Sequence, residues 1–253
     1  MNRQTINILG VDIEVTNPPK AIAQICRWVE EKKKVYVCIA NVNTIIDSLD
    51  DEGYRRVVNE AAMATPDGMP LVWVGRSQGQ KEMARTYGPD LMRDLCLLGP
   101  GRYKHFFYGG TADTIRLLVQ KLKNEYPDLN IVGSYAPDFL GLQEEESRHV
   151  LSMINNAAPD ILWVGLGSPK QDYWMSIHRD KLDVPVMVGV GAAFDFLAGT
   201  KPQAPVWMQR CGLEWFFRLC CEPKRLWRRY FVGNTKFIYY LFKDILHRGL
   251  LKP

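Results

Sequence analysis

Short apolar runs alternate with amphipathic stretches along the first 200 residues of the chain. The apolar runs predict β-strands, and the two that flank Gly10 could form a hairpin. The predicted strands cover residues 5–9, 12–15, 35–40, 63–65, 105–110, 131–135, 161–167 and 184–190. The predicted helices cover residues 18–32, 111–125, 144–156 and 170–179. Strands alternating with such helices predict an α/β fold whose mostly parallel, doubly wound sheet is flanked by helices.

The pattern changes near residues 199–205, beyond which the rest of the chain is predicted to be helical. From Leu226 to Leu246, apolar and aromatic residues recur every three or four positions, and Lys and Arg are interleaved with them. We therefore divide the chain into an α/β domain, residues 1–203, which carries the chemistry, and a helical appendage, residues 204–253, which associates with a membrane. The alternative is a C-terminal helix that packs on the core and turns a basic face to solvent.

The composition is that of a folded globular protein, but the charge is unevenly distributed. Of the 253 residues 47% are hydrophobic and 24% charged, and the net charge is +4. Residues 201–253 hold 11 Lys and Arg against 3 acids, whereas residues 1–200 hold 21 against 25. Residues 201–253 also hold 11 of the 28 aromatic residues. Basic charge interleaved with aromatic rings fits either an anionic membrane surface or single-stranded nucleic acid.

Cysteine use and hydropathy bear on where the protein works. The six cysteines form no CxxC pair, so free buried thiols in a reducing compartment are expected. The N-terminal segment has no apolar run long enough for a signal peptide. No window reaches the ~18 apolar residues that a spanning helix needs. We expect a cytoplasmic protein that is at most peripheral to a membrane.

Glycine-rich turns follow several predicted strands, at the edge where parallel sheets bind their ligands. Gly109 and Gly110 separate the strand that ends at Tyr108 from the helix that begins near Thr111. Such a turn can present N–H groups at the positive end of a helix dipole and suits a diphosphate. An ordinary tight turn explains the two glycines equally well, because the sequence is neither a GxGxxG nor a Walker motif.

A carboxylate and two amides are predicted at the same edge. Asp67 follows a short strand in a Pro-Asp-Gly turn, where it could act as a general base on a hydroxyl. Pro, Asp and Gly are also common turn formers, which is the alternative. Asn41 and Asn43 follow the preceding strand, and their amides could hold sugar hydroxyls or merely cap a helix.

Three further polar residues stand out. Gln171 follows a Gly-Ser-Pro sequence in which Ser168 is predicted to cap a helix. Asp195 lies in an apolar run, so its carboxylate must be paired or bind a ligand such as ribose hydroxyls. Arg85 precedes a helix start and could contact a phosphate or pair with Asp90. The four histidines are scattered and form no metal cluster.

Taken together, these segments resemble the WecG/TagA/CpsF family of glycosyltransferases, glycosyltransferase family 26. The resemblance covers nearly the whole chain, and the order and spacing of its motifs carry it. The matching segments are residues 41–44, 65–68, 85–91, 107–110, 165–172 and 189–199, and the tail APVWMQRCGLEWFFRL…EPKRLWRRY. The resemblance implies the family's own Rossmann-like fold.

The resemblance also implies an inverting transferase that takes a hexose, an N-acetylhexosamine or its uronic acid from a UDP-sugar. Its acceptor would be a glycan on a polyprenyl-diphosphate carrier, in bacterial cell-surface polysaccharide synthesis. The protein would then be peripheral on the inner face of the plasma membrane. No metal and no cofactor is implied, since the UDP-sugar is itself a substrate. The donor sugar, the acceptor glycan and homo-oligomer formation stay open.

Roles follow by matching single residues to the family pattern. Asp67 matches the proposed catalytic base. Asn41, Asn43 and Gln171 match residues that line the sugar and acceptor site, and Arg85 is expected beside them. The residues expected at the UDP site are Gly109 and Gly110 at the diphosphate, Tyr135 and Asp195 near the uridine, and Arg218, Arg225 and Arg228 in the tail. The chain departs from the family at Asp172, where Glu is usual, and Asn43 is a position that varies.

Two other classes of function compete with this hypothesis. A doubly wound sheet with Gly turns also fits a nucleotide- or NAD-dependent oxidoreductase. The GxGxxG fingerprint with an acid about 20 residues on is missing at the first strand–helix turn, however. The basic tail alone fits a non-enzymatic nucleic-acid-binding protein. The net negative charge of residues 1–200 argues against that function, and nucleic acid is not expected as a partner.

Overall fold

Eight strands and twelve α-helices make up the part of the chain that this computed structural model describes, residues 3–98, 101–137 and 144–250. The strands are β1 Thr5–Ile8, β2 Val11–Glu14, β3 Val35–Ala40, β4 Met63–Pro66, β5 His105–Gly109, β6 Ile131–Tyr135, β7 Ile161–Gly165 and β8 Val186–Gly189. The helices are α1 Pro18–Glu30, α2 Val42–Asp50, α3 Glu52–Glu60, α4 Met69–Ser77, α5 Gly88–Leu97, α6 Ala112–Glu125, α7 Glu144–Ala157, α8 Lys170–His178, α9 Ala193–Ala198, α10 Val206–Arg210, α11 Glu214–Cys221 and α12 Pro223–Leu250.

The other six strands, β3 to β8, form one parallel sheet. Their order is β4-β3-β8-β7-β5-β6, and every adjacent pair runs parallel. The predicted hairpin around Gly10 is also present, as the antiparallel pair β1 and β2. The α/β fold class is therefore confirmed. Because the six strands run the same way, the residues that follow them emerge at one edge of the sheet.

Both faces of the sheet are buried, which explains why its strands are almost continuously apolar. Phe106, Tyr108 and Val164 point into one core, and Phe107 and Trp163 point into the other. All five are at most 1% exposed. Burying each large apolar side chain stabilises the fold by roughly 1.5–3 kcal/mol. The sheet is thus a rigid base for the turns at its carboxyl edge.

After β8 the chain leaves the sheet, and α10, α11 and α12 form the tail. α12 packs on α2 and buries Leu226, Tyr230 and Phe237 to 7% exposure or less. Phe237 joins the same apolar core as Phe106 of β5. The predicted boundary at 203/204 coincides with the end of the α/β pattern, but the tail shares buried side chains with the body. A separate domain there stays a prediction.

Two local predictions are wrong. Ser168 does not cap α8, because Pro169 occupies the N-cap position and the Ser168 hydroxyl instead accepts a hydrogen bond from Gln171 Nε2 at 3.3 Å. All six cysteines are free, as expected, but three of them are exposed rather than buried. These three, Cys211, Cys220 and Cys221, lie in the tail, whose helices bury only part of their surface. Across the described residues, no helix has both the length and the apolar character to span a bilayer.

Candidate active site

A cavity of about 590 Å³ lies where the ends of β3 and β4 meet the tail. The body lines it with Asn41, Asn43, Asp67 and Arg85, and the tail with Arg218 among others. These five are the sequence-predicted residues that the structure brings together. Much of the remaining wall is aromatic or aliphatic, with Trp73, Trp215, Tyr230, Phe231, Phe237 and Ile238. Apolar walls with a few convergent polar groups are typical of a ligand site.

Asp67 is fixed at the cavity through its backbone. Its N–H donates to the Ala40 carbonyl at 2.8 Å, and its own carbonyl accepts from Arg85 Nε at 2.6 Å. The side chain is 21% exposed, and its Oδ1 lies 3.7 Å from an Arg85 guanidinium nitrogen. Burial raises the pKa of Asp67 to about 7, although the positive charge of Arg85 acts against that rise. A carboxyl whose pKa is near neutral is suited to general-base chemistry.

Arg85 joins the body to the tail. Its guanidinium donates to Gln209 Oε1 at 3.3 Å and, closer still, to Glu214 Oε2. It also lies 3.9 Å above the ring of Tyr87. The Tyr87 hydroxyl donates to the second Glu214 oxygen, Oε1, at 3.0 Å. Glu214 thus receives donors from two residues of the body.

Glu214 was not predicted as a site residue, and Arg85 does not have the partner that the sequence suggested. The suggested pair with Asp90 is wrong, because Asp90 pairs with Arg93 one turn along α5 at 3.3 Å. Glu214 carried a signal that could have found it, since it is one of only 3 acids in residues 201–253, against 11 basic residues. An acid retained in so basic a segment needs a partner, and that partner is Arg85.

Asn41 lines the cavity and also caps α2. Its Oδ1 accepts from the N–H groups of Asn43 at 2.9 Å and Thr44 at 3.4 Å, while Thr44 Oγ1 accepts from the Asn41 N–H. The cap therefore uses the amide oxygen and leaves the amide nitrogen as a donor for a ligand. The tail helix passes close by, since a Cβ on Gly233 would lie 3.1 Å from Asn43 Oδ1.

Gly109 and Gly110 form the turn after β5 and do not line this cavity. Both have positive φ, and a Cβ on Gly109 would lie 2.6 Å from the Gly165 carbonyl carbon. Glycine is therefore required at 109 for β5 to approach β7. The Gly110 N–H donates to the Gly165 carbonyl at 3.1 Å, so the expected unpaired N–H is wrong at this residue. A diphosphate role for the turn stays a prediction.

Gln171 is committed to the turn after β7. It is 2% exposed, its Oε1 accepts from the Gly167 N–H at 3.1 Å, and its Nε2 donates to Ser168. Both ends of the amide are thus used within the protein. The adjacent Asp172 is buried as well and accepts from the Tyr54 hydroxyl at 2.7 Å. Gln171 shapes the sheet edge, and its predicted contact with a sugar is not tested by this geometry.

Asp195 also has partners in the body. Its Oδ2 pairs with Lys201 Nζ at 2.8 Å, and its Oδ1 accepts from Thr200 Oγ1 at 3.3 Å. The side chain keeps 24% of its surface exposed, so a ligand can still approach it. Tyr135, the other predicted uridine contact, stacks on Tyr108 with ring centroids 6.3 Å apart. Neither Asp195 nor Tyr135 lines the cavity.

Of the three predicted tail arginines, Arg218 alone lines the cavity. Its guanidinium carbon lies 5.5 Å from the ring centre of Phe196, so it reaches toward α9 and Asp195. Arg225 pairs with Glu222 at 2.5 Å, and both Arg225 and Arg228 are exposed. Arg229 lines the cavity although no sequence signal separated it from its neighbours. On α12, the rotation of the helix about its axis decides that Arg229, and neither Arg225 nor Arg228, lines the cavity.

α12 divides its apolar residues between two faces. The sequence predicted a single apolar stripe on this helix. Three of its residues, Leu226, Tyr230 and Phe237, are buried, whereas residues one position later in the chain are exposed. One position is a rotation of about 100° around a helix. We call the second set the exposed stripe; it consists of Trp227, Phe231, Ile238, Phe242 and Ile245, which are 55–67% exposed. The exposed basic residues Lys224, Arg225, Arg228 and Lys243 accompany it. Core packing and an exposed apolar face thus coexist on one helix, and Phe231 and Ile238 of the exposed stripe also border the cavity.

Comparison with known proteins identifies relatives over nearly the full length. Residues 6–250 match the pattern of the glycosyl transferase WecG/TagA/CpsF family. Three similar proteins are each named N-acetylglucosaminyldiphosphoundecaprenol N-acetyl-beta-D-mannosaminyltransferase. The protein of Bacillus subtilis is 30% identical over 203 residues, which cover 80% of this chain and 77% of that protein. The proteins of Bacillus spizizenii and Staphylococcus aureus are 29% and 26% identical over 231 residues, covering 90% of this chain and 87% and 89% of theirs.

Proposed function

The chain belongs to the WecG/TagA/CpsF family of glycosyltransferases, and we propose that it is an inverting enzyme that moves a sugar from a UDP-sugar to a polyprenyl-diphosphate-linked glycan. The relatives' names support an N-acetylhexosamine donor and an undecaprenyl-diphosphate acceptor. One observation carries the proposal. Asp67, a carboxyl of raised pKa, lines a cavity that is closed by a basic, aromatic tail.

Asp67 acts as the general base in this proposal. The acceptor hydroxyl oxygen attacks C1 of the donor sugar, and its proton passes to the Asp67 carboxylate. The bond between C1 and the UDP oxygen breaks on the opposite side, so the configuration at C1 inverts. The buried position supports this role because the raised pKa makes Asp67 a stronger base than an exposed carboxylate.

The departing UDP gains negative charge and needs cations near its diphosphate. Arg218 is suited to this task, since it lines the cavity and extends toward Phe196 and the neighbouring Asp195. We propose that the diphosphate lies over Gly109 and Gly110, that the uridine lies near Tyr135 and Asp195, and that Asn41, Asn43, Arg85 and Gln171 hold or shape the sugar and acceptor site. Arg225 and Arg228 are proposed to approach the diphosphate from the rim of the tail.

The exposed stripe is proposed to dock on an anionic bilayer. A polyprenyl carrier cannot leave the membrane, so the enzyme must meet it there. Each exposed basic residue near such a surface contributes about 1 kcal/mol to binding, and the stripe adds apolar area at the headgroup level. The enzyme would then work as a peripheral protein on the cytoplasmic face of the plasma membrane, where we expect the UDP-sugar to be present.

The decisive experiment measures UDP release with a panel of UDP-sugars and a lipid-diphosphate-linked N-acetylglucosamine acceptor. We expect release that depends on the acceptor with at least one UDP-N-acetylhexosamine, and unchanged rates when a chelator removes divalent metals. The control is the Asp67→Asn enzyme, which should release little UDP. Acceptor-independent release, or equal rates in the two enzymes, would contradict the proposed reaction or the proposed base respectively.

A further inference from the structure

The guanidinium of Arg85 links the body to the tail beside the proposed base. We propose that Glu214 is a positioning residue for Asp67: by binding Arg85, it holds that arginine off the Asp67 carboxylate and so makes Asp67 a stronger base when α11 is seated on the body. This inference rests on the proposed role of Asp67 as the base. Glu214 acts on the base through Arg85, and it lies in the wall of the same cavity.

The geometry shows two carboxylates competing for one guanidinium nitrogen. Arg85 is anchored by its Nε on the Asp67 carbonyl at 2.6 Å and by stacking over Tyr87 at 3.9 Å. Its terminal NH2 nitrogen donates to Glu214 Oε2, while Asp67 Oδ1 lies 3.7 Å away, beyond hydrogen-bond distance. Glu214 therefore holds this nitrogen at a position from which it makes no hydrogen bond to Asp67.

Asp67 Oδ1 is left as an open acceptor. It is buried and has no hydrogen-bond partner among the described residues. A buried carboxylate oxygen without a donor is costly to ionise, which fits the raised pKa of Asp67 and makes it a stronger base. If the Arg85 guanidinium moved a few tenths of an ångström toward Asp67, its terminal nitrogen could donate a hydrogen bond to Oδ1. Glu214 opposes this movement.

The charges around Asp67 favour the same role for Glu214 as the geometry does. The charged groups that face Asp67 are Arg85 from the body, Asp90 at the start of α5, and Glu214 and Arg218 from α11. The two arginines lower the pKa of Asp67, and the two acids raise it. Without Glu214, two cations would face one remaining acid, and the base would weaken. Solvent screens these charges little, because the Arg85 and Glu214 side chains are only 15% and 14% exposed.

Glu214 lies on the tail, so its contact with Arg85 exists only while α11 is packed against the body. If α11 leaves the body, Arg85 loses its acceptor and can close onto Asp67. The open enzyme would then hold a paired, weakened carboxylate, which activates water poorly and so spares the donor sugar from hydrolysis. Base strength would thereby follow seating of the tail.

The test is the pH dependence of kcat for the full-length Glu214→Gln enzyme. Asp67 must be deprotonated to act, so activity rises with pH through the pKa of that group. Removing the Glu214 charge lowers the pKa of Asp67, and the acid limb of the profile should move to lower pH by about 1 unit. The plateau should fall roughly threefold because a weaker base removes a proton less readily, while KM for the donor stays unchanged.

The matched control is Asp50→Asn. Asp50 forms another ion pair between body and tail, with Lys236 at 2.9 Å, but it does not face Asp67. Its profile should keep the wild-type acid limb. Tyr87→Phe removes the donor to Glu214 Oε1, together with the hydroxyl's contact to Gln203, and serves as a second variant if Glu214→Gln fails to fold. It should shift the limb in the same direction by a smaller amount.

The outcomes separate this inference from the proposed function. An unshifted acid limb in both Glu214→Gln and Tyr87→Phe, with Asp67→Asn inactive, would overturn the positioning role and leave the base intact. A change confined to thermal stability or KM would also overturn it. Wild-type turnover in Asp67→Asn would remove the base itself. A shift shared by Asp50→Asn would attribute the effect to tail seating in general and reject Glu214 as the positioning residue.

Discussion

The carboxyl edge of the sheet is completed in two different ways along its length. Beyond β3 and β4, Arg85 lies 3.7 Å from the Asp67 carboxylate and takes its nearer carboxylate partner, Glu214, from the tail. Beyond β5, β7 and β8, Gln171 and Asp195 are satisfied by neighbours within the α/β body. The first region is thus incomplete without the tail, whereas the second is formed by the sheet and its own turns.

Deletion of the tail would not test the two regions separately. The tail contributes buried side chains to the core through Leu226, Tyr230 and Phe237, so deleting residues 204–253 would expose apolar surface as well as open the cavity. Single substitutions separate these effects. The following four are ordered from the largest expected change to the smallest.

Asp67→Asn tests the region that the tail completes. The amide cannot accept a proton at neutral pH, so kcat should fall by about 10²–10⁴-fold while the fold and UDP affinity persist. Turnover by steady-state UDP release and UDP affinity by calorimetry measure the two quantities. A kcat within a few fold of wild type would remove Asp67 from the mechanism and reduce the contrast between the two regions to one of packing.

Asp195→Ala tests the region that the body completes by itself. If Asp195 binds the ribose, losing a charge-assisted hydrogen bond should weaken UDP binding by roughly 10- to 150-fold in Kd, with kcat changed less. Calorimetric titration with UDP measures this. The control is Asp113→Ala on α6, whose carboxylate is exposed and pairs with Arg116. An unchanged Kd in a folded Asp195→Ala protein would confine Asp195 to its pair with Lys201.

Gly109→Ala tests how tightly β5 packs against β7, in the region that the body completes by itself. The substitution places a Cβ 2.6 Å from the Gly165 backbone at φ 125°, and the free energy of unfolding should fall by at least about 1–3 kcal/mol. Gly167→Ala is the matched control, because its φ is also positive but no atom lies within 4 Å of the new Cβ. Urea denaturation should show the larger loss at 109. Equal losses would mean that the β5–β7 approach is not tight.

Lys243→Gln makes the smallest expected change and concerns the outer face of the tail. Lys243 is exposed on α12 beside the exposed stripe, and one lysine near an anionic surface contributes about 1 kcal/mol, or roughly fivefold in affinity. Co-sedimentation with phosphatidylglycerol vesicles measures the change. Lys123→Gln, an exposed lysine on α6 of the body, should bind as wild type does. Equal losses in both would indicate attraction by net charge and no defined membrane face.

The sequence predicted the eight strands well because local patterns govern them, but of the nine helices that the structure describes before residue 200 only α1, α6, α7 and α8 were predicted with bounds. Buried strands such as β5 and β7 are short apolar runs ended by glycine, and the positions of Asp67 and Asn41 follow directly from where β4 and β3 end. The parallel arrangement then brings these ends to one edge, so the cavity residues Asn41, Asn43 and Asp67 could be grouped before any coordinates, whereas Arg85 was expected beside them from the family resemblance.

Partner choice was decided by tertiary structure alone. That Arg85 binds Glu214, 129 positions along the chain, and leaves Asp90 to Arg93 depends on where α11 is seated. The same holds for the arginines of α12. Periodicity places Arg225, Arg228 and Arg229 within two turns, but only the buried contacts of Leu226 and its stripe fix the rotation that directs Arg229 inward.

Local sequence therefore determined the strands, the helices and the edge at which the chemistry gathers, because apolar period and turn residues act over a few positions. Tertiary structure decided which polar groups were left unsatisfied at that edge. Asp67 and Asp195 both follow strands of the sheet along the chain, yet one keeps a buried oxygen without a donor and the other pairs with Lys201. Hydrogen bonds and desolvation depend on atoms brought together from distant positions, and only the folded chain supplies those distances.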